Sequence, residues 1–327
     1  MSLLRLSRVE LTRYRSRRAI AFLVVVSLVL TAVIAAVLIF QTRPFDRADI
    51  QRAEQQAAAE AEQPYIQREL RRCVNRPRTY GIRPDNPDVQ QRCEEFVLPT
   101  AEWYLYRPEL RPREQLQGGA LGVATMLVMA LILAATTFAG ADWNSGSLIN
   151  QLLAVPGRVR LWVAKALPVT VVSTAVTLVT LAGWWTAVLV TARLRDIGVG
   201  GPLLADIGWQ IVRAGALAGF AALGAYALTM LLRSTVATLG VLFAYTVVGD
   251  LVLNLLPFDG QRYAISTNVF AWLNGSFTYY DYDRCLGAVG RCQEAVTITQ
   301  ADAVPVLVVL VAVVIGLSLL TFRRRDV

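Results

Sequence analysis

The sequence offers few side chains for covalent or metal chemistry, and its four cysteines are the clearest candidates. Four cysteines allow three pairings, and pairs that are close in sequence are the simplest. These pairs would join Cys73 to Cys93 and Cys285 to Cys292. Four free thiols or a metal site are the alternatives, but the chain has no histidine and no Cys-X-X-Cys spacing. Because disulfides persist in oxidising compartments, both pairs predict an extracytoplasmic position.

The same inventory argues against an enzyme. Without histidine the chain lacks the usual acid–base group at neutral pH and the commonest metal ligand. Its only lysine, Lys165, lies between two alanines, so the Gly-Lys-Ser/Thr core of a phosphate-binding loop is missing. The sequence therefore predicts no catalytic residue, no metal and no cofactor bound by this chain.

A polar loop carries the most informative spacing. Residues Ser145-Gly146-Ser147 offer a capping hydroxyl and a helix start, and Pro156-Gly157 offers a stop. The apolar positions between them share one helical face: Leu148, Ile149, Leu152 and Leu153. The pattern predicts a short helix parallel to the membrane that is either an interfacial turn or a docking element, for a cytoplasmic partner or for the protein itself.

Two charged residues, Arg213 and Asp250, fall inside long apolar blocks. At roughly 1.5 Å per residue, each would lie about 9 Å below the outer membrane surface. A charge at that depth is costly unless it is paired or faces water. We expect the two side chains to face each other or a common cavity, either as a packing ion pair or as groups that contact a substrate.

The elements that would position these residues are apolar blocks of membrane-spanning length. Apolar residues make up 55% of the 327-residue chain. Each block is expected to be helical, because a lone strand in lipid leaves its backbone groups unpaired. The six predicted spans are 19–40, 119–140, 161–191, 207–232, 235–256 and 303–322. The predicted fold class is an all-α polytopic membrane protein.

Basic residues set the predicted orientation. The segments expected in the cytoplasm hold 13 basic residues against three acids, whereas segment 42–117 holds 13 of each. The net charge of +8 thus collects on one side, which is the positive-inside pattern. Both termini are predicted to be cytoplasmic, in a bacterial inner membrane. The basic residues form no visible stripe, so no nucleic-acid partner is predicted.

The segments between the spans give five predicted regions. Residues 42–118 are too long for a simple loop and predict a disulfide-pinned helical subdomain, either a solvated cap or a surface for a substrate or partner. Residues 257–302 are aromatic and predict an extracytoplasmic segment that either dips into the outer leaflet as a re-entrant hairpin or packs on the spans. The other regions are 1–41 with an interfacial helix and the first span, 119–256 with spans two to five and the loop 141–160, and 303–327 with the sixth span and a basic tail.

Together these features resemble the permease (transmembrane) subunits of type-2 ABC exporters, of an actinobacterial-like kind with an enlarged first extracellular segment. The likeness lies in the order of residues between the second and third spans. These residues are Asp142, Gly146, Ser147, Leu148, Leu152, Leu153, Pro156, Arg158 and Lys165. Asp and Ser stand where the family usually has Glu and Thr. A basic segment before the first span, like the family's elbow helix, extends the resemblance.

The resemblance implies a transport subunit. Loop 142–158 would be a coupling helix, with Leu148, Leu152 and Leu153 buried in a groove of a separate ATPase subunit that binds the ATP and Mg. Asp142 and Arg158 would pair at the rim of that groove. Two permeases, identical or different, and two ATPases would export a lipid, drug, peptide or glycan-like substrate. The alternative is a membrane scaffold or signalling subunit that uses the same loop without transport.

Overall fold

The computed structural model describes residues 2–155, 157–254, 259–281 and 294–324. They fall into two compact units, one made of Met1–Ala36 with Arg111–Val327 and the other of Val37–Leu110. In chain order the helices are α1 Leu3–Ser16, α2 Arg18–Gln41, α3 Arg47–Ala61, α4 Pro64–Asn75, α5 Val89–Val97, α6 Ala101–Tyr104, α7 Pro112–Gln115, α8 Gly119–Asn144, α9 Ser147–Ala154, α10 Arg158–Leu194, α11 Gly201–Leu232, α12 Thr235–Ala244, α13 Asp250–Asn254, α14 Ile265–Asn274 and α15 Gln300–Arg324. The strands are β1 Ser276–Tyr280 and β2 Ala295–Thr299.

Within the described residues, five helical segments are long and apolar enough to cross a membrane. They are Arg18–Gln41, Pro112–Asn144, Arg158–Leu194, Gly201–Leu232 and Gln300–Arg324. Each contains one of the predicted spans. The prediction of a helical, polytopic membrane protein is therefore confirmed at this level.

The described part of the predicted fifth span, 235–256, is helical throughout, but its helix type changes twice. Helix α12 ends at Ala244, a π-helical turn covers Tyr245–Gly249, and α13 follows as a five-residue helix. The turn contains three consecutive β-branched residues followed by a glycine, which are weak helix formers. The continuous apolar helix of this region, Thr235–Gly249, is shorter than a membrane-spanning helix. The structure therefore supports five of the six predicted spans, and the span at 235–256 stays a prediction.

The basic N-terminal segment folds as a helix of its own. Arg17, in an extended conformation with ψ of 117°, separates α1 from α2. One face of α1 is buried at intervals of four residues, at Leu6, Glu10 and Tyr14. This face packs against α10, so the helix is tied to the bundle by an apolar stripe that includes one carboxylate.

Small residues let α10 and α11 pack closely. A Cβ placed on Gly215 would lie 2.7 Å from the Leu178 side chain, and one on Gly219 would lie 2.3 Å from Thr174 Oγ1. These glycines are needed for contact within the chain, so the Gly-X-X-X-Gly spacing of α11 gives no separate indication of a dimer face.

The segment between the fifth and sixth spans departs from the all-α prediction. Its described part holds a 3₁₀ turn at Gly260–Tyr263, helix α14 and the strands β1 and β2. The strands pair antiparallel, with Ser276 opposite Thr299 and Tyr280 opposite Ala295. Apolar and polar residues alternate along both strands, which is the period of a half-buried sheet.

The unit Val37–Leu110 contains α3 to α6 and the Cys73–Cys93 disulfide, which confirms that pairing. The sulfur atoms are 2.05 Å apart, and the bridge joins α4 to α5 across 20 residues. Both cysteines are fully buried among apolar side chains: Ile66, Leu70, Tyr80, Ile82, Val89 and Val97. A unit this small has little apolar core, so the disulfide supplies cross-linking that packing alone would not.

Candidate functional site

Helix α9 lies inside the predicted polar loop, between α8 and α10. It begins after Gly146, whose φ of 65° is the left-handed conformation that favours glycine. The Ser145 hydroxyl accepts a hydrogen bond from the Ser147 amide at 3.4 Å, and the Ser147 hydroxyl donates one to Asp142 Oδ1 at 3.2 Å. The two serines therefore fold the helix start back onto the end of α8.

The apolar residues of α9 divide between two surfaces. Leu148 is 1% exposed within the core of the chain, and Leu152 packs against the same core. Ile149 and Leu153 face outward, with 47% and 81% exposure. The bundle itself buries Leu148, so the expectation that this side chain enters a partner's groove is wrong. For the half-buried Leu152 and the exposed Leu153 it stays a prediction.

A buried ionic cluster lies beside α9 and joins three helices that are distant in sequence. Lys165 of α10 donates a hydrogen bond to Glu10 of α1 at 2.9 Å and one to Asp142 of α8 at 2.5 Å. Arg17 donates a further bond to Asp142 at 2.5 Å. The side chains of Lys165, Glu10 and Asp142 are only 1%, 2% and 4% exposed. We call Glu10, Arg17, Asp142 and Lys165 the ionic cluster.

Each charge of the ionic cluster has at least one partner of opposite sign. Two carboxylates meet two cations, and Arg13 adds a bond to Glu10 at 3.1 Å from a position that is 43% exposed. Removing one partner of such a set leaves a charge in a low-dielectric interior, at a cost of about 3–5 kcal/mol. The cluster therefore specifies how α1, α8 and α10 meet.

Two aromatic rings pack against the ionic cluster. The Phe138 ring lies 5.1 Å from the Arg17 guanidinium carbon and 5.4 Å from Lys165 Nζ, both within the range of cation–π contacts. Tyr14 packs edge-on against Phe138 with ring centres 5.0 Å apart. Burial raises the pKa of Tyr14 to about 12, so this side chain stays neutral at physiological pH.

The predicted pairing of Asp142 with Arg158 at the rim of a groove is wrong. Asp142 lies inside the protein with Lys165 and Arg17, because the end of α8 packs between α1 and α10. Arg158 instead donates a hydrogen bond to the backbone carbonyl of Arg323, at 3.1 Å. The loop thus contacts the end of α15 through Arg158 and the N-terminal region through Asp142.

Sequence reasoning missed the roles of Glu10, Arg17 and Lys165. A signal for two of them was present in the composition. Lys165 is the single lysine beside 31 arginines, and Glu10 and Asp142 are two of the three acids among the predicted cytoplasmic residues. The acids of a strongly basic region, and its one basic residue that is not an arginine, are candidates for a buried ion pair, since charged side chains are almost never fully buried alone.

The contacts of several predicted site residues lie outside the part of the chain that the structure describes. Pro156, Cys285 and Cys292 lie outside the described residues, as does the side chain of Asp250, so the predicted meeting of Arg213 with Asp250 stays a prediction. The Arg213 backbone carbonyl accepts a hydrogen bond from Trp272 at 2.8 Å, and its guanidinium lies beside Gly275. Arg213 therefore contacts the helix and turn that precede β1.

Metal chemistry finds no support in the part of the chain that the structure describes. There, no three His, Cys, Asp or Glu side chains come together in a way that could hold a metal ion.

Searches of protein-family models, of curated proteins and of solved structures found no match to this chain. The site must therefore be interpreted from its own geometry.

Proposed function

We propose that this chain is the transmembrane permease subunit of an ATP-driven ABC exporter. It would lie in a bacterial inner membrane with both termini in the cytoplasm. A separate ATPase subunit would bind ATP and Mg, and a second permease, identical or different, would complete the assembly. The cargo would be a lipid, drug, peptide or glycan-like molecule.

The observation that carries the proposal is the two-sided surface of α9. Its inner face is anchored through Leu148 and through the bond from Ser147 to Asp142. Its outer face presents Ile149 and Leu153, large apolar side chains that are 47% and 81% exposed among the described residues. A short helix that is fixed on one side and apolar on the other suits docking into a groove of a partner.

The ionic cluster gives α9 a mechanical connection to the bundle. Asp142 sits five residues before Ser147 and bonds to Lys165 of α10 and to Arg17, which precedes the candidate span α2. A displacement of α9 would therefore pull on three helices at once. Closure of a pair of ATPase subunits around ATP would supply that displacement, and the spans would respond as packed elements with more than one arrangement.

The proposal predicts that an acid on the outer face of α9 breaks the complex. Leu153→Asp places a charge at the centre of an apolar contact, and such residues contribute much of the affinity of an interface. Leu194→Asp is the matched control, because Leu194 is 80% exposed, close to the 81% of Leu153, and lies at the far end of α10. Both variants leave the core and the ionic cluster intact.

The measurement is Mg-ATP hydrolysis that co-elutes with the tagged chain, purified in mild detergent from its native membrane. Mass spectrometry should identify the co-eluting polypeptide as one that contains a phosphate-binding loop. We expect Leu153→Asp to lower the hydrolysis at least about tenfold and Leu194→Asp to leave it within about twofold. Equal hydrolysis from both variants, or no such polypeptide with the wild type, would refute the proposal.

Transport and scaffolding differ in the response to cargo. An exporter's ATPase should be stimulated when its substrate is added, because substrate and ATP binding are thermodynamically coupled. A stable ATPase complex whose hydrolysis is unaffected by a panel of lipids, drugs, peptides and glycans would favour the scaffold or signalling subunit instead.

A further inference from the structure

An open pocket of about 330 Å³ lies where α2 ends, within the unit Val37–Leu110. It is lined by Phe40, Gln41, Arg43, Tyr106, Arg107 and Pro108. The lining therefore contains two guanidinium groups, two aromatic rings and no carboxylate. A pocket of this composition attracts an anion that also carries apolar surface.

The Asp49 carboxylate does not neutralise the positive charge of the pocket wall. Asp49 pairs with Arg107 at 3.2 Å, with Arg52 at 2.7 Å and with Arg43 at 3.6 Å. Three guanidinium groups thus share one carboxylate, and two of the three line the pocket. The pocket wall and the residues that pair with it therefore carry more positive than negative charge.

Arg107 and Arg43 are held in different ways. The Arg107 guanidinium donates to the backbone carbonyls of Arg43 and Pro44 and lies over the Phe45 ring, so its position is well defined. The Arg43 guanidinium lies 4.9 Å from the centre of the Phe40 ring. Among the described residues it makes no hydrogen bond, since its Asp49 contact is 3.6 Å long. Its N–H groups remain available for an anionic oxygen.

The pocket opens where a candidate membrane span ends. Helix α2 is apolar along its length, and near its end Val37 and Phe40 are 46% and 65% exposed. Tyr106, on the other side of the pocket, is 92% exposed. Aromatic rings and arginines at the end of a span are typical of the headgroup layer, where apolar and anionic groups of one lipid are both within reach.

We propose that this pocket binds the phosphate group of an anionic phospholipid. The Arg43 and Arg107 guanidiniums would meet the phosphate oxygens, and Phe40 and Val37 would contact the upper part of an acyl chain. Guanidinium groups bind phosphate through charge-assisted hydrogen bonds in a geometry that matches their fork of donors. The inference does not depend on ATPase coupling, because no residue of α9 or of the ionic cluster takes part in it.

The test uses the full chain, purified in detergent and stripped of lipid. Native mass spectrometry counts bound molecules during titration with phosphatidylglycerol, with phosphatidylcholine or with glycerol 3-phosphate. Arg43→Gln removes a guanidinium that makes no hydrogen bond, so the fold should survive. Arg52→Gln is the matched control, because Arg52 pairs with the same Asp49 and does not line the pocket.

We expect the wild type to bind phosphatidylglycerol about tenfold more tightly than phosphatidylcholine, and Arg43→Gln to weaken the binding of phosphatidylglycerol by a similar factor. Arg52→Gln should change it by less than about twofold. Equal loss in the two variants, or equal affinity for the two lipids, would overturn the site. Binding of glycerol 3-phosphate as tight as that of phosphatidylglycerol would overturn the assignment to a lipid and indicate a soluble phosphate ester.

Discussion

Asp142 and Asp49 are each surrounded by cations, but their environments are opposite. Asp142 meets Lys165 and Arg17 in the bundle, and Lys165 is shared with a second carboxylate, Glu10. Asp49 meets three arginines whose side chains are 20% to 66% exposed, with no second carboxylate bonded to them in the described ion pairs. In the first set the lysine and both carboxylates are at most 4% exposed, whereas the second set places three partly exposed arginines around one carboxylate.

The difference separates a structural role from a binding role. A cluster whose carboxylates and lysine are buried and paired with one another mainly fixes how helices meet. An open cluster with surplus guanidiniums contributes little to stability, because exposed ion pairs are screened by water and salt. It retains donors for an external anion. Variants of the ionic cluster should therefore lose stability, whereas variants of the arginines around Asp49 should mainly lose anion binding.

The largest expected effect is that of Lys165→Met, which leaves Glu10 and Asp142 buried without their shared cation. The free energy of unfolding should fall by about 3–5 kcal/mol. It can be measured from unfolding of the detergent-solubilised chain with increasing SDS. Arg160→Met is the control, because Arg160 is an exposed residue on the same helix. Similar stability of the two variants would show that the ionic cluster does not hold the helices together.

A smaller effect is expected from Asp142→Asn, which keeps the size of the side chain and removes its charge. Its bonds to Lys165 and Arg17 lose their charge-assisted character, which corresponds to about 1.5–3 kcal/mol of unfolding free energy. Asp49→Asn is the equivalent change in the open cluster and should cost less, since its arginines can be solvated. A thermal unfolding assay on both variants gives the order directly. A larger loss of thermal stability from Asp49→Asn than from Asp142→Asn would contradict the comparison.

The smallest effect is a pH dependence confined to the open cluster. The Asp46 amide, which donates a hydrogen bond to Asp49, lowers the pKa of that carboxyl, and Arg107 lowers it further. A carboxyl whose pKa is lower in the folded state contributes stability above its unfolded pKa, about 3.9, and loses it as the pH falls through the folded value. Hydrogen-exchange protection of α3, corrected for intrinsic rates, should therefore decrease in the wild type below about pH 4.

Asp49→Asn is the reference for that measurement, because an amide does not titrate. Its α3 protection should be lower than in the wild type at neutral pH and should approach the wild-type value in acid. A constant difference between the two proteins from pH 7 to pH 3 would contradict the assigned role of Asp49.

Local patterns in the sequence predicted much of this fold. Apolar blocks predicted the helices that could span a membrane, and Ser145-Gly146 with Pro156-Gly157 predicted the bounds of α9 to within a residue or two. The nearby Cys73 and Cys93 predicted their own bridge. Each of these features depends on residues that are close in the chain or on composition, which sequence patterns report directly.

The contacts that define the candidate site depend on distant residues and were not predictable in the same way. Glu10 and Lys165 are separated by 155 positions, and no spacing rule connects them. The inner face of α9 was assigned to a partner because amphipathicity indicates that a face is covered without indicating by what. The strands β1 and β2 were a missed local signal, since alternation at Phe277 and Tyr279 was visible.

The central claim is that the outer face of α9 touches an ATPase, and a photocross-link tests it most directly. Benzoylphenylalanine would replace Leu153 in one variant and the equally exposed Leu194 in another, each irradiated in native membranes. The account predicts an adduct at position 153, and none at 194, with a polypeptide that contains a phosphate-binding loop. No adduct at 153, or the same adduct at both positions, would contradict it.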